Sequence, residues 1–204
     1  MALLVIVWLI AMCYAFWWFL VRDIRSFYPP GQEQFVHFEN AQLGHYLNTY
    51  LHSNQIITES SSQKSVLIHF WDPSCLCSRF NTQHVQQLIE TFGPQGVRFI
   101  VILNDTIPSP EEFVQQASTL FPGATLIRAS QLALPSQVPA SPATAILDQH
   151  GQLSYFGPYT LGALCLPSGD GLVETVLKSL LAGRQAVPGS IAGSGCFCAW
   201  PTKD

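Results

Sequence analysis

The most marked hydrophobic feature of the chain is an uncharged run at its beginning. Residues 2–21 contain no Asp, Glu, Lys or Arg. A helix of this length spans about 30 Å, which is the thickness of a bilayer core. The run also carries aromatic residues of the kind found at membrane interfaces, namely Trp8, Tyr14, Trp17 and Trp18. No basic segment precedes it and no small-x-small site follows it, so the pattern predicts an uncleaved transmembrane anchor over residues 1–22 rather than a signal peptide.

The remaining pattern alternates between helical and strand-like spacing. A polar stretch with Pro29-Pro30-Gly31 predicts a linker over residues 23–38. Apolar residues at three- and four-residue spacing predict helices over residues 39–52, 108–121 and 171–181. A further helix leaves the Cys75/Cys77 pair, repeats its apolar residues between Phe80 and Phe92, and ends near Gly93-Pro94. Apolar runs predict strands over residues 66–71, 97–103 and 124–128, and a β-hairpin over 143–148 and 153–156.

This order of elements indicates the architecture of the domain. A strand, a helix and a second strand in succession form a parallel pair with a right-handed crossover, so residues 39–183 are predicted to be one α/β domain. Residues 184–204 follow it as a Gly-rich tether that ends in a Cys-x-Cys tail.

Composition narrows the range of functions. Hydrophobic residues make up 48% of the chain and charged residues 11%, which suits a packed core plus a membrane segment. The net charge is −4 and the basic residues are scattered. Nothing in this charge distribution indicates a nucleic-acid partner.

The candidate chemistry lies in the cysteines. Four of the six cysteines form two Cys-x-Cys pairs, Cys75/Cys77 and Cys196/Cys198. The first pair lies where the predicted strand ends and the next helix begins. Unpaired N–H groups and the helix dipole at such a position favour a thiolate, which is the form that acts as nucleophile, redox centre or soft metal ligand.

Two motifs give the domain a family resemblance. The segment Phe70-Trp71-x-x-x-Cys75 resembles the active-site segment Phe-Trp-x-x-x-Cys-x-x-Cys of the thioredoxin superfamily, although the cysteine spacing here is Cys-x-Cys. Ser141-Pro142-Ala143-Thr144, before the predicted hairpin, resembles the segment that carries a cis proline in that superfamily. With the N-terminal run, the chain is similar to membrane-anchored bacterial thioredoxin-like proteins.

The resemblance implies a fold and an activity. The fold is an α/β, thioredoxin-like one, with a central mixed sheet flanked by helices, here preceded by a transmembrane helix. The activity is thiol–disulfide exchange on protein thiols and disulfides without a cofactor. Cys75 corresponds to the attacking thiol and Cys77 to the resolving one, and Pro142 shapes the groove where an extended peptide pairs. His69 stands where thioredoxins keep a buried proton-carrying Asp, and a histidine there is expected to transfer protons near neutral pH.

Other interpretations remain open at the sequence level. Cys75, Cys77, Cys196 and Cys198 together suit a thiolate site for copper(I) or zinc in a metal chaperone. The domain is alternatively a thioredoxin-fold scaffold without turnover. The tail cysteines form either a second redox pair that exchanges with the first, or a structural disulfide that involves Cys165.

The location of the domain is predicted from two arguments that disagree. Arg22 and Arg25 follow the apolar run and would place the domain in the cytoplasm by the positive-inside rule. Paired cysteines suit an oxidising compartment instead. We expect a single-pass protein of the bacterial inner membrane with a periplasmic domain whose partners are protein thiol and disulfide clients.

Overall fold

The structure used here is a computed structural model of the chain. It describes residues 2–21, 24–28, 36–57, 63–106, 110–132, 138–160, 171–184, 189–190 and 193–200. Its α-helices are α1 (Ala2–Val21), α2 (Val36–Ser53), α3 (Leu76–Phe92), α4 (Pro110–Leu120) and α5 (Leu172–Leu181). Its strands are β1 (Ile24–Ser26), β2 (Ser65–Trp71), β3 (Val97–Leu103), β4 (Thr125–Arg128), β5 (Ala140–Ser141), β6 (Ala143–Asp148), β7 (Leu153–Gly157), β8 (Gly189–Ser190), β9 (Ser194–Cys196) and β10 (Cys198–Ala199).

Among the described residues, six strands form the central sheet in the order β4-β3-β2-β6-β7-β8. Strand β2 pairs in parallel with β3 and antiparallel with β6. Strand β3 pairs in parallel with β4, and β6 with β7 forms the predicted antiparallel hairpin. The predicted α/β class is confirmed, and this mixed sheet with flanking helices fits a thioredoxin-like fold.

The two faces of the sheet are covered by different helices. Alternate residues of β2, Val66, Ile68 and Phe70, belong to the apolar cluster that contains the buried leucines of α2. Leu67 and Trp71 point to the opposite face, into the cluster formed with α3, α4 and α5. Every residue of β2 is buried, because the strand lies inside the sheet and both of its faces are covered.

The N-terminal run forms the helix that the sequence predicts. Helix α1 contains 20 residues, and its large apolar side chains between Leu3 and Trp18 are exposed. Within the described residues, no helix reaches the combination of length and apolar character that a membrane span needs. Membrane anchoring is therefore a proposal.

The segment after α1 is more ordered than the predicted linker. Ile24–Ser26 forms β1, Phe27 and Tyr28 are buried, and α2 begins at Val36 rather than at residue 39. Phe27 packs edge-on against Phe156 of the sheet. Phe27 and Tyr28 thus anchor the residues that precede the Pro-Pro-Gly sequence to the core, a contact that the linker prediction did not include.

The predicted tail also packs against the domain. Strand β9 pairs antiparallel with β1, and β10 pairs antiparallel with β5. Phe197 and Trp200 are 4% and 6% exposed and belong to the cluster on the α2 face of the sheet. Burial of two large aromatic side chains stabilises the docked tail, so residues 193–200 act as part of the domain rather than as an appendage.

Candidate redox site

A tight turn places Cys75 at the start of α3. The carboxylate oxygen Oδ1 of Asp72 accepts hydrogen bonds from the backbone N–H and the hydroxyl of Ser74, at 2.9 and 2.6 Å. The backbone N–H of Cys75 donates to the carbonyl oxygen of Asp72 at 3.1 Å. This Asx turn ends β2 and lets Cys75 adopt the extended conformation of an N-cap residue, with φ −82° and ψ 121°.

The position at the helix N-terminus has an electrostatic consequence. The first N–H groups of α3 have no partner within the helix, and the helix dipole places partial positive charge there. Both Cys75 and Cys77 lie in this first turn and are 2% exposed. A thiolate released at either sulfur is therefore stabilised by the helix and shielded from solvent.

The proline segment faces this helix end, as the resemblance implies. The Ser141–Pro142 peptide bond is cis, and Pro142 is the single residue between β5 and β6. The Cys75 sulfur lies 3.6 Å from the carbonyl oxygen of Ser141. The residue before Pro142 thus contacts Cys75, while the role of Pro142 in shaping a peptide groove stays a prediction.

The disulfides differ from the predicted pairing. Cys75 is bonded to Cys198 and Cys77 to Cys196, with Cα atoms 5.9 and 6.0 Å apart. Cys75 and Cys77, the attacking and resolving thiols that the resemblance implies, are therefore not bonded to each other in this structure. The interpretation that the tail disulfide involves Cys165 is not tested, because Cys165 lies outside the described residues.

The direction of the tail accounts for the order of the pairing. Cys198 is in register with Ser141, whose carbonyl oxygen lies 3.6 Å from the Cys75 sulfur. Cys196 precedes Cys198 and is bonded to Cys77, which follows Cys75, so the tail runs past the cysteine pair of α3 in the opposite chain direction.

The four cysteines of the alternative metal site do come together, but not as metal ligands. The described residues contain no group of three or more His, Cys, Asp or Glu side chains arranged to hold a metal ion. In the oxidised state each sulfur is bonded to another sulfur, whereas copper(I) and zinc require thiolates. The metal interpretation can therefore apply only to a reduced form of the protein.

Ser78 is the residue that sequence reasoning missed. Counting three residues from Cys75 places the second cysteine of the Cys-x-x-Cys motif at this position. The Ser78 hydroxyl is buried and lies 2.7 Å from the hydroxyl of Ser141, which in turn donates to the carbonyl oxygen of Phe70. The spacing of the family motif could have identified Ser78, because the motif has its second cysteine three residues after the first and this chain has a serine there.

His69 is buried within the same half of the domain. Its Nδ1 lies 2.9 Å from the hydroxyl of Tyr159, and its ring packs edge-on against Phe121. Burial lowers the pKa of His69 to about 3, an effect that the backbone of Ala143 partly opposes. The expectation that His69 titrates near neutral pH is therefore wrong, because desolvation dominates; its role in proton transfer stays a prediction.

A second histidine continues this polar cluster. The His84 ring packs edge-on against Tyr159, and its Nε2 lies 3.3 Å from the carboxylate of Glu174. Burial lowers the pKa of His84, and the nearby negative charge of Glu174 acts in the opposite direction. Tyr159 thus stands between two histidines and joins β2 to helices α3 and α5.

Comparison with known proteins gives a family and a fold. Residues 46–200 match the family described as "Domain of unknown function (DUF6436)". No curated protein matches the sequence significantly. The matched segment includes all four paired cysteines, His69 and Pro142.

Several solved structures resemble the chain. An uncharacterized conserved protein from Geobacillus kaustophilus is 20% identical with a TM-score of 0.59, over 70% of this chain and 80% of that one. A hypothetical protein from Sinorhizobium meliloti is 13% identical with a TM-score of 0.55, over 68% and 79%. A thioredoxin-family thiol:disulfide interchange protein from Chlorobium tepidum is 15% identical with a TM-score of 0.45, over 61% and 86%.

Proposed function

We propose that this chain, which belongs to the DUF6436 family, is a membrane-anchored thiol–disulfide oxidoreductase that acts on protein thiols and disulfides. Cys75 and Cys77 are its helix-borne redox sulfurs. They exchange between disulfides with the tail and free thiolates at the N-terminus of α3. The reaction needs no cofactor, because the electrons are carried by the sulfur atoms.

One observation supports this proposal above the others. Cys75 is bonded to a cysteine on a strand that pairs with Ser141, directly before the cis Pro142. This is how a mixed disulfide with an extended client peptide would be arranged: backbone pairing holds the peptide while the helix N-terminus holds the attacking sulfur. The tail provides that arrangement within one molecule.

The proposed membrane anchor is α1. Its apolar side chains are exposed along its described length, and the run contains no charged residue. Burying such a surface in lipid removes a large unfavourable contact with water. We further propose the bacterial inner membrane with the domain in the periplasm, because two disulfides persist in an oxidising compartment.

The test is a catalysed exchange assay with the full chain in non-ionic detergent. A reporter peptide with two cysteines is equilibrated with glutathione buffers, and its approach to equilibrium is followed by mass spectrometry. We expect the chain to accelerate this approach, and Cys75→Ala to reduce the acceleration at least about tenfold, because the helix-stabilised thiolate is lost.

Cys13→Ala is the matched control, because Cys13 is a free, exposed cysteine of α1. It should exchange like the unmodified chain. Equal acceleration by the Cys75→Ala variant and the unmodified chain would contradict the proposal. If the unmodified chain accelerates neither the oxidation nor the reduction of the peptide, the scaffold without turnover is favoured instead.

A further inference from the structure

The four paired cysteines differ in their exposure to solvent. Cys75 and Cys77 are each 2% exposed, whereas Cys196 and Cys198 are half-buried. In thiol–disulfide exchange the attacking thiolate must reach one particular sulfur, and the other leaves. An external thiol therefore has better access to the tail cysteines than to those of α3.

A cavity next to the tail is lined by Cys198 but not by Cys196. Its volume is about 320 Å³, and Cys198 is the only paired cysteine among the residues that line it. The walls are mostly apolar and come from Phe27, Tyr28, Pro139 and Phe197. A cavity of this size and character suits a ligand of about the size of a short peptide.

Arg25 gives the cavity a charge preference. It lines the cavity and is exposed, and among the described residues it forms no ion pair. A guanidinium group binds a carboxylate through paired hydrogen bonds. The cavity thus combines an apolar wall, a disulfide-bonded cysteine and a cation.

We propose that this cavity binds a peptide-sized thiol that carries a carboxylate, and that exchange begins at Cys198. This inference rests on the proposed function and names the substrate class and the sulfur that is attacked. Cys198 is then a catalytic residue in its own right, and Arg25 selects the substrate by its charge.

The reaction oxidises two substrate thiols and reduces the Cys75–Cys198 disulfide. The substrate thiolate attacks Cys198 Sγ, a new S–S bond forms, and the Cys75–Cys198 bond breaks with Cys75 leaving as a thiolate. A second substrate thiolate attacks the substrate sulfur of this mixed disulfide and releases Cys198. Two substrate thiols are oxidised to one disulfide, and the two electrons and two protons end on Cys75 and Cys198.

The leaving sulfur is favourably placed for this direction of attack. Cys75 is the N-cap residue of α3, where the helix stabilises the departing thiolate, and a better-stabilised thiolate leaves faster. Cys198 lies in a two-residue strand and has no such helix. Phe197 and Trp200 remain buried, so the tail stays docked while its sulfur exchanges.

The test uses the oxidised full chain in non-ionic detergent with limiting glutathione, a tripeptide thiol with two carboxylates. The reaction is quenched with acid before a second exchange, and peptide mapping locates the adduct. We expect glutathione on Cys198 and a free thiol on Cys75. Glutathione first found on Cys75, Cys77 or Cys196 would overturn the inference and leave the proposed function intact, whereas no adduct on any cysteine would overturn both.

A charge variant tests the selection of the substrate. Arg25→Gln should slow the reaction with glutathione roughly 2- to 5-fold, the effect of one exposed ion pair. Its reaction with 2-mercaptoethanol, which has no carboxylate, should be unchanged and shows that the variant is folded. Arg184→Gln, at an exposed arginine that does not line the cavity, is the matched control. Equal slowing with both thiols, or no slowing with either, would overturn the assigned role of Arg25.

Discussion

The two disulfides are nested, and this arrangement predicts a non-additive loss of stability. Cys75–Cys198 spans 123 residues, and Cys77–Cys196 lies directly inside it and spans 119. The perturbation is the removal of one bridge, the other, or both. Three variants do this: Cys75→Ala with Cys198→Ala, Cys77→Ala with Cys196→Ala, and the combination of all four changes.

The expected magnitudes follow from the entropy of the unfolded chain. A bridge that closes a loop of 123 residues stabilises the fold by about 5 kcal/mol in the chain-entropy treatment. Once that loop is closed, the inner bridge closes only a ring of about six residues and adds about 2 kcal/mol. Either double variant should therefore lose about 2 kcal/mol, while the quadruple variant should lose about 7 kcal/mol.

Urea unfolding without reductant, followed by tryptophan fluorescence, gives these free energies of unfolding. The Cys13→Ala variant should be unchanged, because Cys13 is in no disulfide. A loss of about 5 kcal/mol in either double variant would refute the nested arrangement. So would equal losses in a double variant and in the quadruple variant, which is the result expected if each Cys-x-Cys pair formed its own small loop, because each double variant would then break both loops.

Three further predictions concern single residues. Ser78→Cys restores the Cys-x-x-Cys spacing beside Ser141, so disulfide mapping should find Cys75 bonded to residue 78 and a free thiol on Cys198; an unchanged Cys75–Cys198 bond would contradict this. Trp200→Ala removes a side chain that is 6% exposed, and urea unfolding should show a loss of about 3–5 kcal/mol; a loss below about 1 kcal/mol would mean that the tail is not anchored in the core. The unfolded chain takes up a proton on His69 below its ordinary pKa of 6.5, whereas the folded chain does so only near 3. The free energy of unfolding should therefore fall by up to about 1.4 kcal/mol per pH unit from this group as the pH drops from 6 to 4, and this component should vanish in His69→Gln.

The sequence predicted the central sheet well because local pattern and burial agree there. The buried runs at β2 and β3 are nearly continuous in apolar residues, and the Gly93-Pro94 stop marks the end of α3. The beginning of α3 at Leu76 agrees with the prediction that the cysteines lie at the helix N-terminus, although the apolar repeat starts only at Phe80. Its first turn contains the cysteines and Ser78, which show no apolar repeat because they face the site rather than the core.

The tail could not be predicted from local pattern. Its Gly-rich composition is typical of a tether, and strands of two or three residues are too short to show alternation. Tertiary contacts order the tail, because Phe197 packs against Phe27 and Trp200 packs against Phe70. Cys-x-Cys spacing alone also does not tell whether a cysteine bonds within its pair or across to the other pair.

The distance along the chain between bonded cysteines has a consequence for biosynthesis. Cys196 and Cys198 are translated 119 and 123 residues after their partners. Until then, Cys75 and Cys77 are thiols on a nascent domain whose sheet strands up to β7 have all been made. A growing chain therefore passes through a stage in which these two thiols have no tail partner, and closing the two disulfides after the tail is made removes four electrons, which an external oxidant must accept.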